Sequence, residues 1–184
     1  MDRDSGSLIK DFLRFTIIAL IIVIPIRVYI AQPFIVSGAS MFPTFETGDY
    51  LIVDQLSYSF DDPVRGDVII FRYPEDTTKF FIKRIIGLPG EIIEIEGTIV
   101  YIVGEDGKKH TLTEPYITLQ REEFIEKKLA NDEYFVMGDN RLASLDSRNW
   151  GPLKKEFIIG KSFLRLLPFN DIGYIPGKYH EYEL

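Results

Sequence analysis

The chain has no cysteine and only two histidines among its 184 residues. The first absence excludes disulfides and thiol nucleophiles, and removes the thiolates of structural zinc sites. The second argues against histidine-based acid–base catalysis. His110 sits in the polar turn Gly107-Lys108-Lys109-His110, and His180 lies in the C-terminal tail beside Glu181 and Glu183. Neither belongs to a convergent motif, so a general base must be sought elsewhere. Positive charge is also in short supply: 21 Lys and Arg against 28 Asp and Glu give a net charge of −7. That balance lacks the basic footprint a phosphate backbone requires, and it excludes nucleic acid as the main partner. No metal-ligand spacing or cofactor motif is present, and neither repeats nor low-complexity segments occur.

Apolar residues, in contrast, run almost unbroken near the N-terminus. The stretch Phe15–Ile26, extended to Phe12–Ile30, approaches the roughly 20 residues that span a bilayer. Arg14 and Arg27 fall inside or at its edges, where long basic side chains snorkel to headgroups. A cleaved secretory signal fits less well, because the candidate site at Ala31 has bulky Tyr29 two positions earlier and Pro33 soon after. A buried soluble helix is disfavoured by apolarity on all faces. The expected organisation is therefore residues 1–11 cytoplasmic, 12–31 a transmembrane anchor, and 32–184 a domain on the extracytoplasmic face. The basic residues Arg3, Lys10 and Arg14 on the N-terminal side set that orientation.

Beyond Pro33 the pattern changes to short runs of Ile, Val, Tyr and Phe separated by turn signals such as Gly48-Asp49, Arg65-Gly66-Asp67 and Leu88-Pro89-Gly90. Strands are expected at 34–36, 50–53, 67–72, 79–86, 91–95, 98–103, 133–137 and 157–166, which is the signature of a β-sandwich or barrel. The segment Gln120–Ala130 has helical spacing at Phe124, Lys127 and Lys128 and reads as a short surface helix or an ordered loop. The fold class is therefore mainly β, with a single N-terminal transmembrane helix.

Three segments carry groups capable of chemistry. Ser37-Gly38-Ala39-Ser40-Met41-Phe42-Pro43-Thr44 follows a predicted strand. It reads either as a polar turn or as a hydroxyl at a strand end with free backbone N–H groups beside it. In Phe80–Gly90, Lys83 interrupts an apolar strand. Alternation puts Phe81, Lys83 and Ile85 on one face and Ile82, Arg84 and Ile86 on the other. Either Lys83 and Arg84 are solvated at a strand edge, or Lys83 is desolvated among aromatics. Burial lowers a lysine from about 10.4 to as little as roughly 5–6, and a neutral lysine takes a serine proton. The third segment, Met137–Gly151, is dense in polar groups beside Trp150, and Asp146 with Arg148 suggests an ion pair that holds the loop.

Taken together, Ser40-Met41-x-Pro43-Thr44, Lys83-Arg84-x-x-Gly87-x-Pro89-Gly90, Gly138-Asp139-Asn140-Arg141, Ser144-x-Asp146-Ser147-Arg148 and Trp150-Gly151 resemble the type I signal peptidases (family S26), as does Arg65-Gly66-Asp67-Val68-Ile69. The motifs occur in the family's order behind an apolar N-terminus, from the anchor to about Leu166. The resemblance implies a β-sandwich- or barrel-like catalytic domain. It also implies a membrane-bound serine endopeptidase that removes signal peptides from exported preproteins after Ala-x-Ala, near the secretion translocon and against the lipid bilayer of the cell membrane. It makes Ser40 the nucleophile and Lys83 the general base, with the Ser40 backbone N–H stabilising the oxyanion. Gly38 occupies the oxyanion position where many bacterial relatives carry a serine, and Ser37 is offset from it by one. The resemblance gives Ser144 the task of orienting Lys83, Asp146 and Arg148 a supporting ion pair, and Met41 and Pro43 the shaping of the turn. It also makes Phe34, Val36 and Ile82 the lining of shallow pockets for small residues, between strands that flank an extended peptide. Those three fit ordinary core packing equally well. No cofactor and no metal is implied.

Two other functions compete. Self-cleaving repressors of the DNA-damage response share a Ser–Lys dyad, but they carry a DNA-binding head and lack the Gly-Asp-Asn-Arg segment. A catalytically inactive, membrane-tethered β-domain adaptor would not need Ser40, Lys83 and Ser144 together.

Overall fold

The computed structural model describes residues 5–25, 31–104, 107–117, 120 and 122–178, which leaves His180 and the Arg27 end of the apolar stretch outside it. Helix α1 covers Ser5–Pro25. Its apolar side chains from Leu8 to Ile24 are largely exposed. Lys10, Asp11 and Arg14 interrupt the run, and among the described residues no helix is long and apolar enough to cross a membrane.

The remainder is mainly β, and its strand pairs are antiparallel. The strands are β1 (Ala31–Ile35), β2 (Tyr50–Asp54), β3 (Val68–Tyr73), β4 (Asp76–Gly87), β5 (Ile92–Gly97), β6 (Ile99–Val103), β7 (Lys109–Thr111), β8 (Glu123–Lys128) and β9 (Glu133–Met137). A single helical turn, α2 (Ser147–Trp150), precedes β10 (Leu153–Lys154), β11 (Ile158–Leu167) and β12 (Gly173–Tyr174). The larger sheet has the order β1-β2-β11-β3-β4-β9-β10, with β12 paired to β11; the smaller has the order β7-β6-β5-β8.

The segment expected as helix or loop at 120–130 contains strand β8 instead. Its residues pair with β5, setting Ile125 opposite Ile95 and Lys127 opposite Ile93. The spacing of Phe124, Lys127 and Lys128 misled because Phe124 and both lysines are exposed and face no core. His110 lies not in a turn but on β7, opposite Ile102.

The sheets meet in one apolar cluster: Ile86, Phe135 and Met137 from β4 and β9 pack with Ile93, Ile95, Val100 and Ile102. A second cluster, built on Ile69, Phe71, Ile85, Tyr134 and Val136, lies against β3, β4 and β9. A third, of Val36, Met41, Phe45, Leu51 and Val68, fills the space under the turn that follows β1. Strand β4 thus lies between β3 and β9, and from Lys83 to Ile86 its side chains are buried on both faces.

That position forces Arg84 inside. Its guanidinium meets Asp139 in two bonds, Nε to Oδ1 at 2.8 Å and Nη2 to Oδ2 at 2.6 Å. Nη1 donates to the carbonyls of Gly66 and Gly177. The pair is 0% and 1% exposed, and the ring of Tyr116 lies 4.1 Å from the guanidinium carbon. Four stretches of chain (β4, the loop after β9, the turn before β3 and the C-terminal segment) are therefore pinned at one charge pair. Removing one partner of such a pair strands the other charge. Asp139→Ala is expected to cost about 3–5 kcal/mol of unfolding free energy. Arg84→Met combined with Asp139→Leu should recover most of it, and urea midpoints of the three proteins measure both effects.

Candidate active site

Strand β4 presents Lys83 on the same side as Phe81 and Ile85, and this side is covered rather than solvated: Lys83 is 4% exposed. Its Nζ lies 2.7 Å from Ser40 Oγ and donates to the Ile82 carbonyl at 2.8 Å. The Phe81 ring sits 5.3 Å from the same nitrogen. Burial pushes the amine down from its ordinary 10.5 to about 8. Asp146 and Asp139 oppose that shift through space, and Arg148 adds to it.

Ser40 is half-buried in the turn between β1 and β2. The turn closes through Val36 N–H to Asp49 O at 2.9 Å and Gly48 N–H to Val36 O at 3.0 Å. Met41, the next residue, and Phe45 are buried and root the turn in the third apolar cluster. Thr44 Oγ1 donates to Asp139 Oδ2 at 2.5 Å, which ties the turn to the Arg84 pair. From the loop after β9, Asn140 N–H donates to the Ser40 carbonyl at 3.0 Å and Asn140 Nδ2 to the Ala39 carbonyl at 3.1 Å. Gly138 is needed for this approach, since a Cβ there would lie well inside van der Waals distance of both Ser40 O and Ser144 Oγ.

The flanking residues separate into distinct arrangements. Arg148 grips Asp146 with Nε to Oδ1 at 2.8 Å and Nη2 to Oδ2 at 2.9 Å. Asp146 also accepts from Gly138 N–H at 3.0 Å and caps α2. Burial alone would raise the Asp146 carboxyl, but the Arg148 guanidinium and the Gly138 N–H hold it below its ordinary value. Ser144 Oγ is buried but makes no hydrogen bond of normal geometry; it touches Gly138, lies beside Asp146, and is not a partner of Lys83 Nζ. Gly38 adopts φ +100°, and its N–H is taken by Thr47 Oγ1 at 3.0 Å, so it is not a free donor. The Ser40 N–H has no acceptor among the described residues.

Phe34, Val36, Ile82 and Leu145 line a groove of about 340 Å³ that opens on Ser40 and Lys83. Val36 and Ile82 also contribute to the third apolar cluster, so the wall of the groove is the outer side of the core. Among the described residues no group of His, Asp and Glu is placed to hold a metal ion. Arg84, Asp139 and Asn140 carry the positioning of this site and received no role from sequence reasoning. Their signal was present, since two of them stand in the Gly138-Asp139-Asn140-Arg141 motif and the third adjoins Lys83, but a pairing across 55 positions is not readable from spacing.

Comparison with known proteins places the chain firmly. The family model described as signal peptidase, peptidase S26, matches residues 9–167. A probable signal peptidase I-1 of Synechocystis sp. is 35% identical over 91% of this chain and 87% of its own length. A signal peptidase I of Leptolyngbya laminosa is 36% identical over 85% of this chain and 78% of its own length. One from Bacillus caldolyticus is 34% identical over 85% of this chain and 91% of its own length.

Gly138→Ala tests the clamp on the Ser40 turn. The added methyl should lower stability by about 1–3 kcal/mol. It should also break the Asn140 N–H bond to Ser40 O, accelerating hydrogen exchange at the Asn140 amide. An exchange rate equal to that of the unsubstituted protein would show that Gly138 is not what permits the approach.

Proposed function

This chain belongs to the signal peptidase family, peptidase S26, and from that we propose that it cleaves signal peptides from exported preproteins with Ser40 as nucleophile and Lys83 as general base. The observation that carries the proposal is the 2.7 Å contact between Lys83 Nζ and Ser40 Oγ at an amine shifted to about 8.

The chemistry follows from that geometry. With Lys83 neutral, the hydroxyl of Ser40 donates its proton to Nζ and the oxygen attacks the scissile carbonyl. The Ser40 N–H faces the developing oxyanion. The Lys83 ammonium, steered by the Ile82 carbonyl, returns the proton to the departing amine and leaves an acyl-enzyme. Lys83 then draws a proton from water, which hydrolyses the ester. Phe34, Val36 and Ile82 accept the small side chains of an Ala-x-Ala segment lying extended in the groove. The Asp146–Arg148 pair holds the loop that faces Lys83 and carries Ser144. The second oxyanion donor is left without a side chain, since Gly38 has none.

The same reading places the protein at the cytoplasmic membrane. Residues 12–31 form the anchor, residues 1–11 stay in the cytoplasm, and residues 32–184 meet the preprotein outside, near the translocon. The exposed apolar residues from Leu8 to Ile24 support this, as surface that a bilayer would cover. Lys10 and Arg14 lie near the headgroups on the cytoplasmic side. The inactive-adaptor reading has no use for a buried amine held against a hydroxyl.

The test is cleavage of a preprotein ending its signal in Ala-x-Ala by the full chain in detergent, with mass spectrometry of the products. We expect a cut directly after the second alanine. Ser40→Ala and Lys83→Ala should each lose about a thousandfold or more of turnover, with folding retained. Lys83→Arg should fail too, because arginine keeps its proton. Full activity in any of the three would remove the dyad, and no cleavage by well-folded protein would favour the adaptor.

The pH profile has a defined sign. The neutral amine is the active form, so kcat/KM should climb about tenfold per pH unit below about 8 and level off above it.

A further inference from the structure

Trp150, the single tryptophan, is connected to the Lys83 amine by a chain of rings. Phe81 lies two residues before Lys83 on the same face of β4, half-buried on the wall of the groove, with its ring 5.3 Å from Nζ. Behind it Tyr73 stacks nearly parallel, with centroids 4.5 Å apart and planes at 15°. Phe71 meets Phe81 edge-on at 6.2 Å. Trp150 packs against both members of this layer, 5.9 Å from Phe71 and 6.2 Å from Tyr73. Without that layer Phe81 would have open space behind it, and either a new rotamer or entering water would solvate Nζ.

The two outer rings are held differently. The Tyr73 hydroxyl donates to Glu75, while Trp150 Nε1 is buried with no hydrogen-bond partner among the described residues. Trp150 is therefore held by ring packing and not through its N–H. Its position comes from α2, which Asp146 caps with the carboxylate that Arg148 grips.

We propose that Tyr73 and Trp150 are positioning residues for the reaction, bracing Phe81 over the Lys83 amine so that water does not reach it. This rests on the reading of Lys83 as general base. The other groups acting on the amine are the Asp139 and Asp146 carboxylates from the loop after β9, the Arg148 guanidinium from α2, the Ser40 hydroxyl, and the Ile82 carbonyl of its own strand. Glu75 and Asp76 act on the Tyr73 hydroxyl. Tyr73→Leu, on β3, leaves α2 and the loop after β9 unsubstituted, so it complements Trp150→Ala, which alters the helix that carries Arg148.

Two readouts on the full chain in detergent separate the brace from a general loss of stability. The first is acetylation of Lys83 by acetic anhydride across pH, followed by peptide mass spectrometry, which requires no peptidase activity. The midpoint is expected to rise by about one unit from its value near 8 in Trp150→Ala and in Tyr73→Leu, and to stay in place in Trp150→Phe. The second is the pH profile of kcat/KM. Both disrupting variants should lose about tenfold at pH 7 and converge on the wild type in alkali, while Trp150→Phe keeps the wild-type profile. An unmoved acetylation midpoint in both disrupting variants, or equal losses at every pH, would overturn the proposal. Shifted midpoints in proteins that cleave no preprotein would keep the brace and remove the peptidase reading instead.

Discussion

Burying an amine without a carboxylate in hydrogen-bond contact is the constraint on which the site depends. Strand β4 carries two adjacent cations, and alternation sends them to opposite faces of an interior strand. Arg84 receives a bidentate carboxylate and two carbonyls, and a guanidinium so partnered stays charged. Lys83 receives a hydroxyl and a carbonyl, neither of which compensates an ammonium fully, and burial moves its equilibrium toward the neutral form. The first cation fastens the architecture and the second is left able to titrate. A one-residue slip of register would exchange their surroundings and abolish both roles.

The serine is delivered to the amine by three independent attachments. Met41 and Phe45 sink the turn into the core, Thr44 joins it to Asp139, and Asn140 holds the carbonyls of Ala39 and Ser40. Asp139 belongs to both systems, accepting from Arg84 on β4 and from Thr44 in the serine turn. One carboxylate thereby links the strand that carries Lys83 to the turn that carries Ser40. The 2.7 Å contact is a property of the whole sheet and not of a local motif.

Much of this was legible in the sequence, for physical reasons that also mark where legibility ended. Most strands follow from β-branched and aromatic runs bounded by Gly and Asp, and the observed bounds of β2, β3, β6, β9 and β11 lie within a residue of those expected. Alternation alone put Lys83 beside Phe81. It could not say that β4 is flanked on both sides, because pairing with β9 joins residues some fifty positions apart. The same limit hid the Arg84–Asp139 pair and left Asn140 without a role. At 120–130 local spacing favoured a helix, and pairing with β5 decided for a strand. Gly38 and Ser144 show the converse limit. A motif names the position, but the partner of the Gly38 N–H is Thr47, and Ser144 Oγ rests on Gly138 and not on Lys83.

The electrostatics around Lys83 are balanced by pairing rather than by distance. Two carboxylates, on Asp139 and Asp146, act on the amine and would restore its proton if left as bare charges. Each is held by its own arginine through two bonds, and Arg148 opposes the pull of the carboxylates on the amine. Arg148 consequently does more than secure a loop, because its positive charge reaches Lys83 and favours the neutral amine. Asp146 adds a further connection by capping α2 and accepting from Gly138, the residue whose missing side chain admits the serine turn. Stability and proton affinity are set here by the same bonds, so a change that loosens the Asp146–Arg148 pair necessarily alters the charge balance at the amine.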